Sequence, residues 1–210
     1  MNGKRKELFE NWAEGYDAAV QGTDTFPFAG YEEVLQEILR RAAPEPGMRV
    51  LDVGTGTGNL AAVFLDRGCE VWGIDSSKRM LEKAAEKYPQ AHFVEADLRD
   101  ELLNAFPHPF DRIVSAYVLH EFDLPTKVNV LGRLVANHLA PGGYVVVGDI
   151  TFPTTEAHEA AHQRWKDLWD GEEHYWVAGQ ARVALLSVGL EVEYSQLSCC
   201  GGVFVIRPQE

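Results

Sequence analysis

Cysteine is scarce in this chain: Cys69, Cys199 and Cys200 are the only three among 210 residues. An odd number whose last two are neighbours builds neither a disulfide framework nor a four-ligand zinc site, and it suits a reducing compartment. Basic residues are also few, 19 against 32 acids, for a formal net charge of -13 at pH 7. That balance repels phosphate backbones and anionic lipid, so nucleic acid is not the expected partner and a small neutral or cationic substrate fits more easily. Lys4, Arg5 and Lys6, the densest basic cluster, read as a solvated helix start. No run approaches the roughly 18 consecutive apolar residues of a membrane span, and the opening MNGKRKELFENW lacks the apolar core of a signal peptide. The expectation is a cytoplasmic chain without a membrane partner. Repeats, low-complexity tracts and long linkers are missing too, and 46% hydrophobic content predicts one domain over 1–210 with a substantial core.

What is present is alternation. Past an N-terminal helical region, short apolar runs alternate with longer amphipathic segments, the pattern of strand-helix units on a parallel sheet. Strands are predicted near Arg49–Val53, Glu70–Asp75, His92–Glu95, Asp111–Ala116 and Tyr144–Ile150, with crossover helices over Asn59–Arg67, Ser77–Tyr88 and Pro125–Leu139. Ser76 or Ser77 can cap the second of these helices, and Pro141-Gly-Gly143 can end the third. A polar, aromatic segment from Thr151 to Trp176 follows, then a helix near Val177–Val188. Leu190–Leu197 and Gly202–Arg207 are joined too tightly for a crossover helix, so these last two strands should be antiparallel neighbours.

The stretch VLDVGTGTGNLA, Val50 to Ala61, puts Gly54, Gly56 and Gly58 where the first strand should end. Glycines at such a turn let the backbone approach a ligand closely. A nucleotide triphosphate, a dinucleotide and S-adenosylmethionine all suit that description. The triphosphate loop needs Gly-Lys-Ser/Thr, and Asn59 follows Gly58. The dinucleotide fingerprint needs a glycine three residues after Gly56, where Asn59 stands, and this weakens that reading without removing it. Asp75, ending the second strand, can accept from both hydroxyls of a ribose; Asp97, after the third, can accept from an adenine amino group.

With these residues in this order, the chain resembles the class I S-adenosylmethionine-dependent methyltransferases, and among them the small bacterial members of the YrrT-like kind. The resemblance runs from Trp12-Ala-Glu-Gly-Tyr-Asp17 through Leu139-Ala-Pro-Gly-Gly143 to the final strand pair. It implies an α/β Rossmann-like sheet of seven strands in the order 3-2-1-4-5-7-6, with strand 7 antiparallel and helices on both faces. It further implies an N-terminal helical cap over about 1–45 and an acceptor-side lid over about 151–176. Gly54, Gly56 and Gly58 would lie under the methionine and ribose portions of S-adenosylmethionine. Asp75 would take the ribose, Asp97 and Leu98 the adenine, with Met80 packed near it. Asp52 would steady the glycine loop and the methionine ammonium, while Ser76 and Ser115 at strand ends would line the cofactor. Tyr16 would close over the methionine end.

The loop after the fourth strand, Ser115 to Asp123, lacks the Asn/Asp-Pro-Pro-aromatic motif of amino-methyltransferases that act on DNA or glutamine, and there is no Pro-Cys nucleophile. His120 is the candidate base, because an unperturbed imidazole titrates near neutrality. Glu121 reads as a solvent-facing or capping residue and Tyr117 as a packing residue. His158, His162, Trp165 and Trp169 are spaced by four, three and four, so a continuous helix would put them on one face as an acceptor wall. Tyr175 and Trp176 could complete an apolar or cation-binding pocket. No metal is expected: His158 and His162 lack the glutamate of the zincin pattern. The predicted activity is methyl transfer to a small-molecule acceptor, the alternative a non-catalytic binder or sensor of the same nucleoside.

Overall fold

The computed structural model of the protein describes residues 25–100 and 106–209. Tyr16, the segment 11–17 and the first half of the expected cap lie outside the described residues. The strands are β1 (Arg49–Val53), β2 (Glu70–Asp75), β3 (His92–Glu95), β4 (Phe110–Ala116), β5 (Leu139–Phe152), β6 (Trp176–Val177), β7 (Leu190–Gln196) and β8 (Gly201–Pro208). The helices are α1 (Tyr31–Ala42), α2 (Asn59–Leu65), α3 (Lys78–Lys87), α4 (Leu124–His138), α5 (Thr155–Arg164) and α6 (Ala178–Leu186). The sheet runs β3-β2-β1-β4-β5-β8-β7, with β8 antiparallel to both β5 and β7. This is the order expected from the sequence, with the last two numbers raised by one because the two-residue strand β6 pairs in parallel with the end of β5. Among the described residues no helix is long and apolar enough to cross a membrane.

Alternation along the strands sorts the core onto two faces. Val50, Val71, Val114 and Val146 turn toward α1 and α2, where Val34, Ile38, Leu60 and Phe64 meet them. Leu51, Val53, Ile113, Val145 and Val147 turn the other way, onto Leu131 and Leu134 of α4 and Ala181 and Leu185 of α6. Both faces are buried, which is why the strands read as near-continuous apolar runs. Local chemistry sets the helix starts. Ser77 accepts from the Met80 N–H to cap α3, and Asp123 accepts from the Thr126 N–H to cap α4.

The expected lid differs from the structure. The helix α5 stops at Arg164; Trp165 is its C-cap, and a turn closed by the Leu168 N–H on the Trp165 carbonyl sends the chain back. The four aromatic residues therefore do not share one helical face. Trp169 instead folds against the helix, its ring 5.1 Å from that of His158 and 4.8 Å from that of His162. Packed there, the indole is half-buried and takes apolar surface out of water.

The helix α1 lies directly on β5, and the close approach is made at Gly148. A Cβ there would stand 2.5 Å from Val34 Cγ1 and 2.7 Å from Ile38 Cδ1. Gly148→Ala is expected to destabilise the fold by about 1–3 kcal/mol through overpacking. Thermal unfolding should register it as a fall of roughly 2–4 °C per kcal/mol.

Candidate active site

The carboxyl end of β1 turns into the glycine loop. The N–H groups of Gly54 and Thr55 both donate to the Ile74 carbonyl, at 2.8 and 2.9 Å, which ties the loop to β2. Asp75 completes the tie: its Oδ2 accepts from the Gly56 N–H at 3.0 Å and its Oδ1 from the Ser77 N–H at 2.8 Å. One carboxylate thus spans the loop and the start of α3. The φ angles of Gly54, Gly56 and Gly58 are 69, 53 and 87°, the left-handed region that disfavours side chains. Their surroundings differ. A Cβ on Gly54 would meet Val118 at 2.3 Å and one on Gly58 would meet Tyr88 at 2.8 Å, whereas at Gly56 nothing described lies within 4 Å. Gly56 marks the open side of the cradle.

Asp52 is buried beneath this loop and accepts from the Thr55 hydroxyl at 2.7 Å. Desolvation pushes its carboxyl up to about 7, against the downward pull of that hydrogen bond. Met80 and Leu98 are buried, as an adenine-packing role requires. Ser76 is half-buried at the end of β2. The Ser115 hydroxyl donates to the Val53 carbonyl at 2.9 Å, so its visible work is joining β4 to β1. The Asp97 carboxylate is held in a two-point pair by Arg99, at 3.0 and 2.6 Å. A residue that sequence reasoning passed over holds this corner. Arg133 of α4 donates to the carbonyls of Leu98 and Asp100, at 2.5 and 2.8 Å.

A second constellation forms beyond β4. Residues Leu119–Glu121 make a 3-10 turn that buries His120. The His120 Nδ1 is 2.6 Å from Asp149 Oδ1, and its backbone N–H donates to Asp149 Oδ2 at 3.0 Å. Asp149 also accepts from the Ile150 N–H at 2.8 Å and the Trp176 indole N–H at 3.0 Å. Those donors, with the nearby Lys127 and His120, keep the fully buried Asp149 carboxyl below its usual range despite desolvation. An ionised Asp149 places the imidazole proton on Nδ1 and leaves Nε2 as the reactive nitrogen. Asp149 was also missed from sequence, although an acid inside Val145-Val-Val-Gly-Asp-Ile150 announces a buried charge that must find partners.

Two more carboxylates close on Nε2, Glu121 at 3.7 Å and Glu173 at 3.8 Å. Glu121 corrects the expectation of a solvent or cap residue: the 3-10 turn rolls its side chain inward, leaving it 3% exposed. Burial lowers the His120 proton affinity, but Asp149, Glu173 and Glu121 together raise it above the ordinary value. Aromatic rings form the adjoining wall. Phe26 stacks on Trp165 at 5.1 Å and on Trp169 at 5.4 Å, and Tyr175 meets Trp169 edge-on at 4.6 Å. Burial and hydrogen bonding to Glu173 drive the Tyr175 hydroxyl far above its usual range, so it is a neutral donor. His158 packs on Phe152, and burial lowers its proton affinity. A cleft of about 310 Å³ beside these residues is lined by Lys127, His158, Trp169, Glu173, Tyr175 and Trp176.

A methyltransferase-domain family matches residues 50–143. An uncharacterized methyltransferase of Geobacillus kaustophilus is 35% identical over 201 residues, covering 90% of each chain. One from Oceanobacillus iheyensis is 31% identical over 202 residues, covering 91% of this chain and 92% of that one. The chain belongs to the class I S-adenosylmethionine-dependent methyltransferases. Solved structures carry the same fold at lower identity. The DhpI–SAM–HEP complex matches with a TM-score of 0.74 at 19% identity over 99% of both chains. Magnesium protoporphyrin IX methyltransferase of Synechocystis PCC 6803, with bound SAH, matches at 0.71 and 16% identity, covering 98% of this chain and all 100% of that one.

The methyltransferase takes S-adenosylmethionine as its donor, which supplies a methyl group on a cationic sulfur. The cradle fits such a ligand on its own evidence, since Gly56 leaves the loop open and Asp75 presents a carboxylate already aligned by two backbone donors. Both Gly54→Ala and Gly56→Ala pay left-handed strain, about 1–2 kcal/mol. Gly54→Ala should cost more in chemical denaturation because it alone strikes Val118. In the ligand-free protein the Asp52 carboxyl should titrate near pH 7, and Thr55→Val should move it higher by removing the hydrogen bond that opposes burial. Carboxyl carbon shifts measured against pH check both values.

Proposed function

We propose that this methyltransferase acts on a small-molecule acceptor, with His120 taking the proton of the attacking group. The observation that carries the reading is the Asp149–His120 pair, which leaves Nε2 beside Glu121 and Glu173 with the Tyr175 ring 6.3 Å from the imidazole. A base held to one tautomer by a buried carboxylate suits proton removal from a nucleophile. An aromatic wall and a cleft of about 310 Å³ suit a compact acceptor rather than a polymer, and the net charge of -13 argues against nucleic acid.

On the donor side the proposal assigns Asp75 to the ribose hydroxyls and the Gly54–Gly58 loop to the methionine and ribose portions. Asp52 steadies the loop and the ammonium. Leu98 and Met80 flank the adenine, and Asp97 meets its amino group in competition with Arg99. Ser76 and Ser115 line the same groove. On the acceptor side, Trp165, Trp169, Tyr175, His158 and His162 form the wall. In-line displacement from a sulfonium needs no acid for the leaving group, so positioning supplies much of the acceleration, roughly 7–11 kcal/mol in favourable cases.

Asp75→Ala is expected to weaken S-adenosylmethionine binding by about 1–3 kcal/mol in calorimetry; unchanged affinity would remove Asp75 from the donor site. His120 must be neutral to accept a proton. Asp149 on β5, Glu121 on its own turn and Glu173 before β6 raise its affinity for that proton, while Lys127 of α4 stands beyond Asp149. The rate kcat/KM should therefore rise with pH through an ionisation above 6.5 and level off on the alkaline side. His120→Ala should abolish that inflection and cost about 10²–10⁴-fold; an unaltered profile would overturn the assignment.

A further inference from the structure

A lysine at 2% exposure needs a reason, because burying an ammonium costs several kcal/mol unless its surroundings answer the charge. Lys127 enters the interior from the first turn of α4, where a leucine or methionine would pack without that cost. We infer that Lys127 is a positioning residue for His120, holding the His174–Trp176 segment against the turn that carries the imidazole and opposing the charge of the carboxylates there. The inference rests on the reading of His120 as the base and adds a residue that acts through it.

Two links run from Lys127 to His120. Its Nζ donates to the His174 carbonyl, and the His174 N–H donates in turn to the His120 carbonyl at 2.7 Å. The ammonium also rests 4.2 Å over the Trp176 ring, whose indole N–H donates to Asp149 Oδ2 at 3.0 Å. That oxygen takes the His120 backbone N–H as well, while Oδ1 meets the His120 Nδ1 at 2.6 Å. Segment and carboxylate are therefore both fixed from the lysine side. A cation over an aromatic face draws electron density from the ring, which makes the indole N–H a stronger donor to Asp149.

Electrostatics separates this role from plain packing. Asp149, Glu173 and Glu121 raise the proton affinity of His120 and so keep a base protonated to higher pH. An ammonium beside Asp149 opposes them, and His120 becomes neutral at a lower pH than the carboxylates alone would set. The titratable groups around Lys127 are Asp123 of its own helix, Asp149 of β5 and, lining the same cleft, His158 of α5 with Glu173, His174 and Tyr175 of the docked segment. Burial brings the ammonium down to about 8 against the pull of Asp149 and Asp123, so its charge is present at neutral pH and lost above it.

The test needs no acceptor. Protein labelled with ¹⁵N in histidine and tryptophan, and saturated with S-adenosylhomocysteine, is titrated from neutral into alkaline pH. The Trp176 indole resonance should shift in a step near pH 8 as Lys127 loses its charge. Lys127→Arg, whose charge does not titrate, should erase that step and leave the His120 pKa close to its original value. Lys127→Met keeps a packed stem without the charge and should raise the His120 pKa by about half a unit or more. Equal S-adenosylhomocysteine affinity across the three proteins reports an intact fold. An unshifted or lowered His120 pKa in a Lys127→Met protein that binds S-adenosylhomocysteine normally would overturn the inference, and so would a Trp176 resonance with no step near pH 8 in the unaltered protein. Either result leaves His120 as the base, a reading that fails separately, on a pH–rate profile unchanged by His120→Ala.

Discussion

Asp149 is a full negative charge placed inside a mixed sheet, where β5 pairs antiparallel with β8, and much of the structure beyond β4 is arranged to accommodate it. A carboxylate without partners at 0% exposure would cost several kcal/mol. The chain meets that cost with four N–H donors drawn from three places: the Ile150 backbone on its own strand, the backbone and ring of His120, and the Trp176 indole. Each donor fixes a piece of structure. The 3-10 turn is held down through His120, and β6 is drawn to the end of β5 through Trp176. Glu121, Glu173 and Tyr175 are then carried into place by the segments that Asp149 has anchored.

Comparison of the two buried acids shows what partners do. Asp52 and Asp149 are both sealed in the sheet, but Asp52 is pushed up to about 7 while Asp149 is held below its usual range. The difference lies in the number of donors and cations offered. Asp52 has the Thr55 hydroxyl and the Ala61 N–H and faces the like charge of Asp75, whereas Asp149 has four N–H donors with His120 and Lys127 beside it. One carboxyl is left able to change its charge near neutrality. The other is committed to orienting an imidazole.

The sequence was most readable where local rules act alone. Strands β1, β2 and β3 have the predicted bounds because each is an apolar run stopped by a glycine, a serine or an acid. The glycine loop and Asp75 were legible for the same reason, since strand end and ligand-facing turn coincide. The rest depends on contacts distant in sequence. Nothing in the spacing of His158, His162, Trp165 and Trp169 shows that Phe26 will stack against both tryptophans, so a continuous helix was the natural expectation. Glu121 looked like a surface residue because its burial comes from a turn held by a residue 28 positions later, Asp149. Arg133 was hidden on an apolar helix, with its carbonyl partners 33 and 35 positions earlier.

The order of these features along the chain carries a consequence of its own. Among the described residues every group proposed for the donor lies between Asp52 and Ser115, and those proposed for the acceptor come from His120 onward, with Phe26 packed against them. The two sets meet where β4 and β5 pair in parallel, from Arg112↔Tyr144 to Ala116↔Gly148. Substitutions that reshape the aromatic wall therefore leave the nucleoside cradle's hydrogen bonds intact. Such an enzyme can explore new acceptors by drift in one stretch of chain while its methyl supply stays fixed by another, a division of labour built into the path of the backbone.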